Sequence, residues 1–155
     1  MKLILENWKN FLKESVKIKV GKIKDLICPP ATQDLSLNTK NRDATIEKYN
    51  YGPLNVDEPA DYWDSVAIFW KTTEEAAKKS LCENCVAFDI SPRMKDCMPG
   101  DTFDDDGELG YCWMHHFKCH SARTCHTWAK GGPIKNDEES SEWQEKANLE
   151  EGSCK

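Results

Sequence analysis

LCENCVAF, residues 81–88, places two cysteines two residues apart and follows them with an apolar run. A second stretch, GYCWMHHFKCHSARTCHTW at residues 110–128, adds three cysteines and all four histidines among aromatic residues. Six of the eight cysteines lie between positions 82 and 125, in the pattern C-x2-C-x11-C-x14-C-x6-C-x5-C. This clustering predicts that the cysteines bind a metal group or cross-link the chain.

The composition indicates that such a staple is needed. Only 39% of the 155 residues are apolar and 31% are charged, which is little apolar material for a core of this size. Small domains with thin cores are usually held by disulfides or a metal. We therefore predict a small, irregular, metal-stapled α+β domain with few short helices and strands, plus an amphipathic helical arm.

The chain divides by composition into four predicted segments. Residues 1–24 carry seven lysines and two glutamates, whereas the whole chain has a net charge of −6. Helical apolar spacing recurs in PADYWDSVAIFW, whose apolar stripe predicts a Trp-rich helix at 62–70, and a second short helix with a threonine cap is predicted in TTEEAAKKS. The predicted segments are a basic arm at 1–28, a linker at 29–58, a cluster domain at 59–132 and an acidic tail at 133–155.

The same features limit the partners. No apolar run approaches the ~20 residues of a membrane span, and the start of the chain lacks the pattern of a secretory signal. We expect synthesis in the cytoplasm, where disulfides are disfavoured. The basic arm lacks the interleaved aromatics of a single-strand binder, so nucleic acid is not the expected partner. We expect protein partners, bound through the arm and the Trp-rich helix.

Zinc, held in a zinc-binding interaction module, is one interpretation of the cysteines. Cys82 and Cys85 form one typical zinc knuckle. The second ligand pair has two candidates, His116 with His120 or Cys119 with Cys125, and neither has knuckle spacing. Disulfides or a redox-active dithiol form a third interpretation. We expect Cys119 and Cys125 to be a disulfide or free thiols before ligands, and Cys28 and Cys154 to be incidental.

A [4Fe-4S] cluster is the favoured interpretation. Cys82 and Cys85 would bind one side of the cubane, and Cys97 and Cys112 would arrive singly from loops. A cluster also needs a shell that excludes water. The aromatic residues predicted for this shell are Phe88, Tyr111, Trp113 and Trp128.

CENCVAF, CMPG and GELGYCW together resemble the cluster region of the high-potential iron–sulfur proteins, in which CxxC, a cysteine followed by Pro-Gly, and Gly-aromatic-Cys occur in this order. The resemblance covers residues ~80–114 and implies that Cys82, Cys85, Cys97 and Cys112 hold a [4Fe-4S] cluster in a small irregular fold. It also implies one-electron transfer. The chain departs from that family in its extra cysteines, its histidines and its first 58 residues.

Two roles follow for such a cluster. It is either structural, within a larger assembly, or the redox centre of a soluble one-electron carrier. The opening MKLILENWKNFL resembles the start of small proteins of marine phages, which makes a virion a candidate assembly. No phosphate loop, catalytic triad or buried carboxylate pair is present, so we do not expect an enzyme.

Overall fold

A computed structural model describes residues 28–153, with side chains described up to residue 147. The predicted basic arm lies outside the described residues except for Cys28. The described chain falls into two compact units. One is Cys28–Ser140, and residues 141–153 belong to the other.

Six α-helices and four short strands form in the described residues, which confirms the α+β prediction. The helices are α1 (Pro30–Gln33), α2 (Leu35–Tyr49), α3 (Tyr62–Trp70), α4 (Glu74–Lys78), α5 (Pro92–Cys97) and α6 (Asp137–Ser153). The strands are β1 (Phe88–Asp89), β2 (Phe103–Asp104), β3 (Gly107–Cys112) and β4 (Phe117–His120). A 3-10 turn at Cys82–Asn84 lies between α4 and β1.

The sheet is built around β3, which pairs antiparallel with each of the other strands. β1 pairs with the last two residues of β3, with Phe88 opposite Cys112, and β2 pairs with the first two residues of β3. β4 follows β3 closely in sequence and places Cys119 opposite Gly110. The two cysteine-bearing strands are therefore neighbours.

The segment predicted as a linker, 29–58, is instead helical over much of its length. The caps set the limits of α2: the Asp34 side chain accepts a hydrogen bond from the Leu37 amide at 3.1 Å, and Asn50 ends the helix in the left-handed conformation with φ 55°. Asn38 Oδ1 accepts from the Lys118 amide at 2.7 Å, which ties α2 to β4. α2 has no apolar stripe, and its sequence therefore lacks the periodicity by which a helix is recognised.

The Trp-rich helix and the helix after it agree with their predicted positions. Trp63, Val66 and Ala67 of α3 are buried and pack with Ala77 of α4 in one hydrophobic cluster. Thr73 caps α4, because its hydroxyl accepts from the Ala76 amide at 3.1 Å. The 3-10 turn with Cys82 follows this pair of helices, and Cys85 comes directly after the turn.

A buried carboxylate links the sheet to the start of α6. Asp89 is 0% exposed and accepts hydrogen bonds from the Ser91 amide and from Trp113 Nε1, both at 2.9 Å. The Ser140 hydroxyl donates to the same carboxylate. With three donors, the charge of Asp89 is compensated inside the fold.

A disulfide joins Cys28 to Cys97, the last residue of α5. The two residues are 69 positions apart in the sequence. The prediction that Cys28 is incidental is therefore wrong, because the disulfide makes this residue part of the fold. The pairing depends on α5, whose last residue returns the chain to Cys28.

Candidate metal centre

Five cysteines of the described residues are free, and all five line one pocket of the Cys28–Ser140 unit. They are Cys82, Cys85, Cys112, Cys119 and Cys125. The other lining residues are Tyr51, Phe88, Met114, Phe117, Thr124, Thr127 and Trp128. The pocket therefore combines soft sulfur atoms with aromatic and hydroxyl side chains, and no lysine, arginine or carboxylate lines it.

The five cysteines come from four parts of the chain. Cys82 lies in the 3-10 turn and Cys85 directly after it, Cys112 ends β3, Cys119 lies in β4, and Cys125 lies in the loop that follows. Backbone hydrogen bonds fix these parts to each other, such as the one from the Cys82 amide to the Arg123 carbonyl at 2.7 Å. Any group bound by these sulfurs would join segments that are distant in sequence.

A glycine permits the close contact behind Cys85. The Gly132 amide donates to the Asn84 carbonyl at 3.1 Å. A Cβ atom at Gly132 would stand 1.7 Å from the Cys85 carbonyl oxygen, well inside van der Waals contact. The sequence around Gly132 is therefore adapted to hold the CxxC turn in place.

Three of the sulfurs lie close together, with Cys119 within hydrogen-bonding reach of both Cys112 and Cys82. The interaction with Cys119 lowers the pKa of Cys112 and outweighs the effect of its burial. Burial, together with its two sulfur neighbours, raises the pKa of Cys119 well above its usual range.

Backbone amides influence three of the thiols. The amides of Ala129 and Ala87 pull the pKa of Cys85 down, those of His115 and Met114 act in the same way on Cys112, and that of Thr127 on Cys125. Cys125 also lies 3.1 Å from the Thr127 hydroxyl. Nearby amide donors favour thiolates, and they surround the sulfurs of metal–thiolate sites.

In the metal-free protein, burial shifts the pKa of these thiols in the opposite direction to the amides. It raises the pKa of Cys85, and it raises the pKa of Cys125 to about 12, although amide hydrogen bonds pull both values down. A charged thiolate is unfavourable in this apolar pocket without a counter-charge. A bound cation supplies that charge, and binding would release the thiol protons.

The empty space in the pocket is small. The space between its atoms is about 340 Å³, part of which is open to solvent. The centre of a water molecule can occupy only about 20 Å³ of that space. This is room for about one water, so a cluster would require the sulfurs to move apart. No three His, Cys, Asp or Glu side chains of residues 28–147 stand in an arrangement already set for a single metal ion.

The structure brings together three of the four cysteines that the sequence predicts as ligands. Cys82, Cys85 and Cys112 line the pocket. Cys97 does not, and its sulfur is bonded to Cys28. Cys119 lines the pocket instead, as does Cys125, and both are free thiols.

The four predicted shell aromatics divide into two pairs. Phe88 and Trp128 line the pocket, and Trp128 Nε1 is fixed by the Leu81 carbonyl at 2.8 Å. Tyr111 and Trp113 do not line it, although both are buried. Successive side chains of a strand point to opposite faces. Because Cys112 faces the pocket, its two neighbours face away from it.

Two pocket residues come from parts of the sequence that gave no signal. Tyr51, from the predicted linker, is 3% exposed, and its hydroxyl accepts from the His120 amide at 2.8 Å. Burial raises the pKa of this phenol well above its usual range. Thr124 directly precedes Cys125 and is 0% exposed. Only its position next to Cys125 could have indicated Thr124 as a site residue, and no sequence feature indicated Tyr51.

Comparison with known proteins gives no relative: no family model, no curated protein and no solved structure matches this chain. Among the described helices, none combines the length and apolar character that crossing a bilayer requires. The site itself thus carries the functional argument. It defines a small α+β protein with a buried pocket of five thiols.

Proposed function

We propose that this chain binds a [4Fe-4S] cluster in the five-cysteine pocket. Cys82, Cys85, Cys112 and Cys125 would hold it, and Cys119 would remain a thiol. When bound, such a cluster supplies covalent links between the segments that carry its ligands and a one-electron couple. The single observation that carries the proposal is the convergence of five free thiols on one pocket.

The choice of Cys125 as the fourth ligand rests on the amides. Backbone amides pull down the pKa of Cys85, Cys112 and Cys125. Burial and two neighbouring sulfurs instead raise the pKa of Cys119. A thiolate ligand needs donors around its charge, which favours Cys125 over Cys119.

We propose a structural role before a carrier role for this cluster. Its four ligands lie in three parts of the chain, namely the 82–85 turn, the end of β3 and the loop after β4. A cluster at this point would close the fold of a protein with a thin apolar core. The resemblance to the high-potential iron–sulfur proteins favours the carrier role, and a reversible redox couple of the isolated protein would support it.

The partner surface proposed for an assembly is the outer face of α3. Ile68 is 70% and Phe69 is 56% exposed, and the Phe69 ring stacks on His126 with centroids 3.7 Å apart. This face adjoins the loop that carries Cys125. A virion is the assembly that the resemblance of the N-terminal sequence to marine phage proteins suggests.

Zinc is the second candidate, favoured by one observation. The sulfur of Cys119 already lies within hydrogen-bonding reach of both Cys112 and Cys82. A single tetrahedral ion needs its thiolates closer together than a cubane does. In this alternative Cys119 would be a ligand, in contrast to its role beside a cluster.

Metal analysis of protein purified without oxygen tests both candidates. We expect a brown sample with about four irons and four sulfides per chain, and we expect Cys112→Ala to lose both. Cys97→Ala is the matched control and should keep them. A colourless protein with about one zinc would replace the cluster by the second candidate, and a protein with neither metal would refute both.

A further inference from the structure

Thr124 has a buried hydroxyl without a partner. The residue is 0% exposed, and its Oγ1 makes no hydrogen bond to any described part of the chain. It also lines the five-cysteine pocket. Buried hydroxyls in folded proteins are nearly always satisfied, so this one requires an explanation.

The backbone of Thr124 holds the side chain where it is. Its amide donates to the Gly52 carbonyl at 2.8 Å, and the Gly52 amide donates back to the Thr124 carbonyl at 3.0 Å. The Tyr62 hydroxyl donates to the same carbonyl at 3.1 Å. These three bonds fix the backbone of Thr124 at the edge of the pocket.

The other hydroxyls of the pocket are already engaged. Tyr51 accepts from the His120 amide, and Thr127 Oγ1 lies 2.6 Å from His115 Nε2. The remaining lining atoms are sulfur, aromatic carbon and the side chain of Met114. Neutral thiols are weak acceptors, whereas a sulfur that carries negative charge is a much better one.

We propose that the Thr124 hydroxyl donates a hydrogen bond to a sulfur of the metal–thiolate centre that fills this pocket. The inference rests on the proposed function, because the acceptor becomes strong only when the sulfurs are deprotonated and bound. In the metal-free chain the unsatisfied hydroxyl lowers the free energy of unfolding, and the bound centre supplies its missing acceptor. Thr124 is therefore a positioning residue of the centre and not a ligand.

Two effects follow from this hydrogen bond. It stabilises the more negatively charged, reduced state of a cluster, so it raises the reduction potential. It also strengthens binding, since removal of an outer hydrogen bond from a metal site typically weakens the affinity by ~10–100-fold. Both effects concern the loaded protein only.

The test compares full-length wild type with Thr124→Val, which keeps the shape and removes the hydroxyl, and with Thr124→Ser, which keeps the hydroxyl. Each is purified without oxygen and reconstituted with ferrous iron and sulfide. Iron loss to EDTA and the reduction potential are measured on the loaded proteins. Urea unfolding is measured on the metal-free proteins.

We expect Thr124→Val to release iron ~10–100-fold more readily than wild type and to have a lower reduction potential. Thr124→Ser should stay close to wild type. Metal-free Thr124→Val should be at least as stable as wild type, because it lacks the unsatisfied hydroxyl.

Equal iron retention and equal potential in wild type and Thr124→Val would overturn this inference and leave the proposed cluster standing. A metal-free Thr124→Val that unfolds more easily or fails to fold would overturn it too, because the hydroxyl would then have a partner in the chain. A wild type that takes up no iron and sulfide would refute the proposed function, and this inference with it.

Discussion

Cys119 stands diagonally across from Cys112 on neighbouring strands, and the two side chains meet in the same pocket. β4 pairs with β3 so that Cys119 is opposite Gly110, two residues before Cys112. Residues two apart on a strand lie on the same face of the sheet, which brings both sulfurs to the pocket. The interaction between them lowers the pKa of Cys112 and contributes to raising that of Cys119.

This relationship predicts different outcomes for the two extra cysteines. Cys125→Ser should lose most of the bound iron, because it removes a proposed ligand with its amide donor from Thr127. Cys119→Ser should keep the iron, because Cys119 is not among the proposed ligands. Iron and sulfide content per chain measures both. The reverse pattern would make Cys119 the ligand.

The disulfide predicts a loss of stability without a loss of iron. Cys28 and Cys97 close a loop with a sequence separation of 69, and a cross-link of this span stabilises by about 4 kcal/mol in the loop-entropy estimate. The double variant Cys28→Ser/Cys97→Ser should therefore unfold at lower urea concentration and bind iron as wild type does. Iron loss in this variant would instead support the ligand set that the family resemblance implies, with Cys97 as a ligand.

The sequence predicted the helices whose signals are local. α3 has an apolar stripe with Trp63, Val66 and Ala67 on its buried side, and Thr73 is a recognisable cap for α4. α2 could not be found in this way. Its register is held by polar contacts, such as that of Asn38 with β4, and such contacts leave no periodic pattern.

For the site, the spacing of the cysteines identified the region but not its final geometry. The CxxC turn is a local feature, so Cys82 and Cys85 were predictable as a pair. The orientation of Tyr111 and Trp113 depends on which face of β3 carries Cys112, and this is set by the pairing with β1 and β4. The bond of Cys97 to Cys28 likewise depends on tertiary structure.

The buried carboxylate of Asp89 predicts a large effect on stability. Asp89→Ala would leave the Trp113 indole and the Ser91 amide without their acceptor. Each buried donor left unsatisfied costs about 1–3 kcal/mol, so we expect a loss of at least about 2 kcal/mol in the free energy of unfolding. Asp105→Ala, on an exposed residue, should change it by less than about 0.5 kcal/mol. Equal effects of the two variants in urea unfolding would contradict the network.

The contact of Gly132 with the CxxC turn predicts that a single methyl group damages the site. Gly132→Ala would place a Cβ atom against the Cys85 carbonyl, and overpacking of this kind typically costs about 1–3 kcal/mol. We expect a less stable protein with reduced iron content. Lys130→Ala, an exposed neighbour, is the control and should retain both. Normal iron content in Gly132→Ala would show that the turn can shift without affecting the ligands.

The pair of Asp104 and His120 predicts a dependence of stability on pH. His120 Nδ1 accepts from the Ala122 amide at 3.1 Å, so Nε2 carries the proton and donates to Asp104 Oδ2 at 2.9 Å. This hydrogen bond lowers the pKa of Asp104. A carboxyl whose pKa is lower in the folded than in the unfolded state stabilises the fold above the unfolded value, about 3.9. The contribution disappears as the pH falls through the folded value.

Asp104→Asn should therefore have a slightly lower Tm than wild type at pH 7, and the difference should shrink as the pH falls below about 3.9. Because Asp104 is exposed, solvent screening keeps the effect small. Asp105→Asn, beside it on the same acidic turn, has no histidine partner among its described contacts and should follow wild type. Thermal unfolding of the three proteins between pH 3 and pH 7 measures the difference. A gap between wild type and Asp104→Asn that widens toward acid pH would mean that His120 stabilises the protonated carboxyl instead.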